Sequence, residues 1–170
     1  GLGEYGGHFG HIHYLNKVYT HVPFFLSGAG VSARGARQGL VSNLNVAPTL
    51  LARAGIRRPR HMSGRDALQA AEPRLFLETY SPEAYFDSFA AVHYPWQVVF
   101  HPGRSERQME FFDLRQGPHG TVDLQAAPDP SGRRPEMTRT VLRLSRIITA
   151  NKRRQGNLDQ KTMDTLKSLG

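Results

Sequence analysis

The run Val46-Ala-Pro-Thr-Leu-Leu-Ala-Arg-Ala54, closed by Gly55, constrains this chain more than any other stretch. Asn45 ahead of it suits an N-cap, Pro48 falls in the first turn where a missing N–H costs little, and Gly55 suits the left-handed residue that ends a helix. A helix over 46–54 is therefore expected. The apolar runs on either side, Val22-Pro-Phe-Phe-Leu26 and Arg74-Leu-Phe-Leu-Glu-Thr-Tyr80, carry β-branched and aromatic residues and read as strands, with Val22 to Leu26 and Leu75 to Leu77 buried on both faces. Strand, helix, strand predicts an α/β layer.

Beyond residue 88 the texture changes. Phe89 to His93, Gln97 to Phe100 and Gln108 to Leu114 are short segments separated by Pro95, Pro102-Gly103 and Gly117-Pro118, which predicts a small antiparallel sheet. Ala126 to Pro135 reads as a linker, and two helical stretches follow, Met137 to Arg154 and Asp159 to Leu169. The expected division is 1–88 for the α/β part, 89–135 for the antiparallel subdomain and linker, and 136–170 for C-terminal helices. No internal repeat is present.

Composition narrows the chemistry. The 170 residues contain no cysteine, so disulfides, thiolate metal sites and cysteine nucleophiles are excluded within them. No stretch approaches the roughly 20 apolar residues of a membrane span, and the compartment is unreadable because no leader opens the sequence. The net charge of +8 is unevenly spread, and residues 131 to 170 hold ten Lys and Arg against three Asp and Glu. That tail lacks interleaved aromatics on which bases could stack, so a solvated helix face is preferred and no nucleic acid is expected.

Residues 1 to 13 form a loop rich in Gly and His. Gly1-Leu-Gly-Glu-Tyr-Gly6 formally matches a dinucleotide fingerprint, but no strand feeds it, and Gly28-Ala-Gly30 is followed by neither a good helix opening nor an acidic residue at the required distance. His8, His11 and His13 lie within six residues of each other and could meet a metal ion or a bound anion. A dedicated metal site from these three is not favoured, because only Glu4 adds a carboxylate nearby.

Gly10-His11-Ile-His-Tyr-Leu15, then Val22-Pro-Phe-Phe-Leu26 with Gly28-Ala-Gly30, then Leu40-Val-Ser-Asn-Leu-Asn-Val-Ala-Pro-Thr-Leu-Leu51 and Ala54-Gly-Ile56, together resemble the sulfatase family in order and spacing. Glu110-Phe-Phe-Asp-Leu114 and the closing Leu166-Lys-Ser-Leu-Gly170 resemble later landmarks of the same family. Asn45 departs by standing where an Asp is usual, and Gly117 and Gly120 stand where acidic residues are usual. The resemblance implies an α/β fold, here the C-terminal part of an alkaline-phosphatase-like α/β sandwich plus a small antiparallel-sheet subdomain with a C-terminal helix.

It also implies a sulfuric ester hydrolase acting on a sulfate ester, with a formylglycine nucleophile and a Ca²⁺-type ion whose ligands, like the nucleophile, belong to a missing N-terminal part of the same catalytic domain. Alone, the chain is expected to be inactive. By position His11 matches the Lys or His that meets the sulfate or the leaving oxygen, so it is the expected catalytic and substrate-binding residue, with His8 and His13 as substrate-binding neighbours. Two alternatives stand beside this reading: a phosphodiesterase or phosphoethanolamine-transferase-type member of the same superfamily, and a non-catalytic polyanion-binding module.

Overall fold

Short alternating strands can be buried on both faces only if something covers each face, and this requirement organises the chain. The computed structural model describes residues 14–32, 34–80, 87–116, 128–129 and 131–168, with side chains described to residue 151. Helix α1 (Lys17–Thr20) follows the loop, and a 3₁₀ turn (Asn43–Asn45) runs into α2 (Val46–Arg53). Strands β1 (Leu75–Thr79), β2 (Ser88–His93), β3 (Trp96–Phe100) and β4 (Met109–Asp113) come next, and α3 (Arg134–Ser168) closes the chain.

The four strands form an antiparallel meander in the order β1-β2-β3-β4. Its register pairs Phe76 with Ala91, Phe89 with Phe100 and Val98 with Phe111. Because successive side chains point to opposite faces, Phe89, Ala91, Trp96, Val98 and Phe111 share one face and pack against Met137 and Val141 of α3. Trp96 stacks on Phe111 with ring centroids 5.3 Å apart, and the Arg134 guanidinium lies 4.3 Å from the centre of the Phe111 ring. The other face presents Ala90, Val99 and Phe112, and Leu15 covers them. The mixed α/β class, with an antiparallel sheet and a C-terminal helix, is as the sequence predicts.

Several expectations change in detail. Val22 to Leu26 forms neither strand nor helix, and Phe25 is 91% exposed. A strand exists only where a neighbour takes its backbone groups, and neither β1 nor β4 pairs with this run. The predicted α/β layer therefore has no strand at Val22 to Leu26. Leu75–Thr79 is a strand as expected, yet it pairs antiparallel with β2 as an edge of the small sheet and is only half-buried. The two expected C-terminal helices are one continuous α3, since no Gly or Pro near Arg154 is strong enough to stop it: Gly156 alone costs only about 1 kcal/mol.

Asn45 does not cap α2 with its side chain. The capping box belongs to the preceding 3₁₀ turn: the Ser42 hydroxyl accepts from Leu44 N–H at 3.2 Å while Asn45 Oδ1 accepts from Ser42 N–H at 2.7 Å. The Asn45 amide then donates to Arg65 O at 3.0 Å and to Glu72 Oε1 at 2.8 Å, and Thr49 Oγ1 accepts from Ala67 N–H at 2.9 Å. These bonds tie α2 to the loop that leads into β1. Gly64 is required there, because a Cβ at its φ of +83° would lie 2.0 Å from the Leu44 carbonyl oxygen.

Replacing Asn45 by Asp, the residue the resemblance leads one to expect, removes both amide donors and sets a second carboxylate against Glu72. Asn45→Asp is predicted to destabilise the chain by about 2 kcal/mol in urea unfolding at neutral pH. An unchanged midpoint would contradict the role given to the amide.

Candidate functional site

His8, His11 and His13 lie outside the described residues, and so does the rest of the Gly-rich loop. The structure does show where that loop leads. Leu15, 5% exposed, is seated against Ala90, Val99 and Phe112, and its carbonyl accepts a hydrogen bond from the buried Gln97 amide on β3. Asn16 opens α1, and its carbonyl accepts from Tyr19 N–H at 2.9 Å and from Thr20 Oγ1 at 3.1 Å. The Lys17 ammonium donates to Leu114 O at 3.0 Å. Leu114 is itself fixed by its N–H to Pro95 O at 2.8 Å and follows Asp113, which Arg115 grips at 2.7 Å. Three residues separate His11 from Leu15, so the exit of the loop is held by one apolar side chain, one carbonyl and one ammonium on the sheet.

A chain of polar side chains lies on the same face. Ser88 Oγ and His101 Nδ1 are 2.7 Å apart, His101 Nε2 and Glu110 Oε2 are 3.0 Å apart, and Arg104 Nη1 donates to Glu110 Oε1 at 3.2 Å. Arg104 also sits 5.9 Å from the centre of the Tyr14 ring, beside the loop exit. Burial pushes the Glu110 carboxyl up, but the hydrogen bonds and charges of His101 and Arg104 outweigh it and hold the group below its ordinary value. An ionised Glu110 only accepts, so His101 Nε2 carries the proton in their hydrogen bond.

The order Ser, His, Glu has the shape of a nucleophile, a base and an orienting acid. Accessibility decides against that use: Ser88 is 3% exposed, His101 1% and Glu110 5%, and no reacting group could approach the hydroxyl. A cavity of about 150 Å³ is lined by Phe76, Ala91, Met137 and Leu144, between the sheet and α3 on the opposite face. The relay is a fully satisfied buried network joining β2, β3 and β4 to the segment at Tyr14.

Sequence reasoning gave His101 no role, although one signal was there to use. If Tyr94-Pro95 is placed at the β2–β3 turn, Ser88 falls opposite His101 and Glu110 falls on the same face. Among the described residues no group of three or more His, Asp or Glu side chains is arranged to hold a metal ion. No helix among them is long and apolar enough to cross a membrane.

What the fold and this surface define is a small antiparallel sheet with a helix on one face and the root of a Gly- and His-rich loop on the other. The chain is related to the sulfatases over part of its length. It is 36% identical over 70 residues to a Caenorhabditis elegans protein named as an extracellular sulfatase Sulf-1 homolog, a match that takes in 39% of this chain and 10% of that protein. No family model matches. Among solved structures it is similar to a 2-O GAG sulfatase, at 20% identity and a TM-score of 0.46, over 64% of this chain and 25% of the other. A sulfatase from Bacteroides thetaiotaomicron VPI-5482 is similar at 21% identity and the same TM-score of 0.46, again over 64% of this chain and 25% of the other. The chain thus spans about a tenth of the curated relative and a quarter of each structure.

Glu110→Gln is predicted to lower stability by about 3 kcal/mol at pH 7, because His101 and Arg104 lose a buried anionic partner. Since folding depresses the Glu110 carboxyl, its contribution is fully present above the ordinary value of 4.5 and is lost as the pH falls through the lower folded value. The gap between the wild type and Glu110→Gln in urea titrations should therefore narrow progressively as the pH falls from 4.5 through the lower value of the folded carboxyl. A gap independent of pH would contradict the ionised relay.

Proposed function

We propose that the polypeptide to which this chain belongs is a sulfuric ester hydrolase, and that the chain supplies the loop that meets the anion. The observation that carries this reading is the 36% identity over 70 residues with a sulfatase homolog. The anchoring of Leu15 and Lys17 to the sheet and to Leu114 supports it, since a group that must meet developing charge needs a fixed root. In this reading the sulfuryl group passes to the oxygen of the nucleophile, and from there to water as sulfate, while the ester S–O bond breaks and the departing oxygen takes a proton from the His11 imidazolium. His8 and His13 flank it and add hydrogen-bond donors for the sulfate oxygens.

A Ca²⁺-type ion, when bound, would supply further positive charge at the ester oxygens. Its ligands and the nucleophile are assigned to other parts of the polypeptide. The contribution of this chain is to orient the imidazole and to keep its loop root dry, with Leu15 closed against Ala90, Val99 and Phe112.

The test is hydrolysis of an aryl sulfate and the matching aryl phosphate by the intact gene product. His11→Ala is predicted to lower kcat for the sulfate by about 100-fold or more, with His11→Lys recovering part of it. His8→Ala and His13→Ala should each cost about tenfold or less, mostly in KM. Full activity of His11→Ala would remove the imidazole from the mechanism, and turnover of the phosphate alone would move the protein to phosphoryl ester chemistry.

A further inference from the structure

Among the described residues three arginines lie over aromatic rings. Arg115 covers Trp96 and Arg134 covers Phe111, and both of those rings belong to the sheet. Arg104 differs, because its partner ring at 5.9 Å is that of Tyr14, on the segment that leaves the histidine loop. The Tyr14 ring also meets that of Tyr19 on α1, with centroids 6.4 Å apart. Arg104 is therefore the cation that joins the sheet to this segment through a ring.

Arg104 is fixed at its other end. Nη1 donates to Glu110 Oε1 at 3.2 Å, its main-chain N–H donates to His101 O at 3.2 Å, and its carbonyl accepts from Gln108 Nε2 at 2.8 Å. Glu110 and His101 then connect it to Ser88 on β2. The Arg104 side chain is only 23% exposed, so its charge is partly stripped of water, the condition under which a guanidinium gains most from the face of a ring. A planar fork grips a carboxylate with one edge while its face lies on a ring, which a lysine ammonium does not do.

His11 lies three residues before Tyr14, and a chain advances at most about 3.6 Å per residue, so their Cα atoms are within about 11 Å of each other. With two soft dihedrals per residue the imidazole wanders over that distance unless the near end is held. A misplacement of about 1 Å costs about 100-fold in rate. Leu15 and Lys17 hold the chain beyond Tyr14, and Arg104 acts on Tyr14 itself.

We infer that Arg104 is a positioning residue for the ester chemistry: it holds the Tyr14 ring, and through it the histidine loop, in one place relative to the sheet. This role rests on the reading of His11 as the group that protonates the departing oxygen. Arg104 acts through Tyr14 and not on the reacting atoms, so its loss weakens turnover more than substrate binding.

The test uses the intact gene product and an aryl sulfate. Arg104→Gln and Tyr14→Leu should each lower kcat by about tenfold while KM stays within about threefold. The double variant should fall no further than the worse single variant, since both break one contact. Tyr14→Phe keeps the ring and should lose about threefold or less. Circular dichroism at the assay temperature checks the fold, and if Arg104→Gln does not fold because Glu110 loses a partner, Tyr14→Leu against Tyr14→Phe decides the matter. An unchanged kcat in Tyr14→Leu, a loss confined to KM, or losses that multiply in the double variant would overturn the role of Arg104. A second readout needs no turnover: carbethoxylation of His11 by diethyl pyrocarbonate, located by mass spectrometry. Its rate should rise about threefold or more in Arg104→Gln and Tyr14→Leu as the loop is released, while that of the exposed His61 stays constant. An unchanged His11 rate would equally overturn the role. Should His11→Ala keep full activity, the assignment of His11 fails by itself, and the carbethoxylation rates still decide whether Arg104 holds the loop.

Discussion

Burial of the β2–β3 hairpin on both faces is the constraint on which the rest depends. Phe89, Trp96 and Val98 on one side and Ala90 and Val99 on the other leave no side of these strands free for water. A four-stranded sheet cannot cover itself, so α3 must close one face, and the segment from Tyr14 closes the other. The same packing that buries Leu15 therefore fixes the root of the loop that bears the histidines. Stability and the placement of the loop are consequences of one contact surface.

Polar groups on that second face follow from the same logic. Gln97, Ser88, His101 and Glu110 are buried because Leu15 and its neighbours exclude water, and each has a partner. The arrangement of Ser88, His101 and Glu110 illustrates how little a hydrogen-bonded order of residue types says about catalysis. Distances within such a chain satisfy a nucleophile geometry, and accessibility removes it. Here the network fastens three strands together and reaches Tyr14 through Arg104.

Local signals were legible where they depend on near neighbours in the chain. The helix at Val46–Arg53, the positive φ of Gly55 and the segments that became β2, β3 and β4 all follow from period, Pro and Gly. What was not legible depends on partners remote in sequence. Val22 to Leu26 has strand composition but no strand beside it, and Leu75–Thr79 has the same composition and found β2. Asn45 reads as a cap, yet its amide is used by Glu72 and Arg65, residues that no periodicity connects to it. The candidate site divides the same way: His11 is marked by its motif, whereas the Leu15 seat and the His101 relay appear only when the sheet is assembled.

The account turns on Leu15 being held by the sheet, and a double-mutant cycle between Leu15→Ala and Phe112→Ala measures that contact directly. Equilibrium unfolding of the wild type, both single variants and the double variant of the 170-residue chain should give a coupling of about 1 kcal/mol or more. Additive effects, with no coupling beyond error, would mean that the segment is not seated on this face and that the sheet does not position the loop.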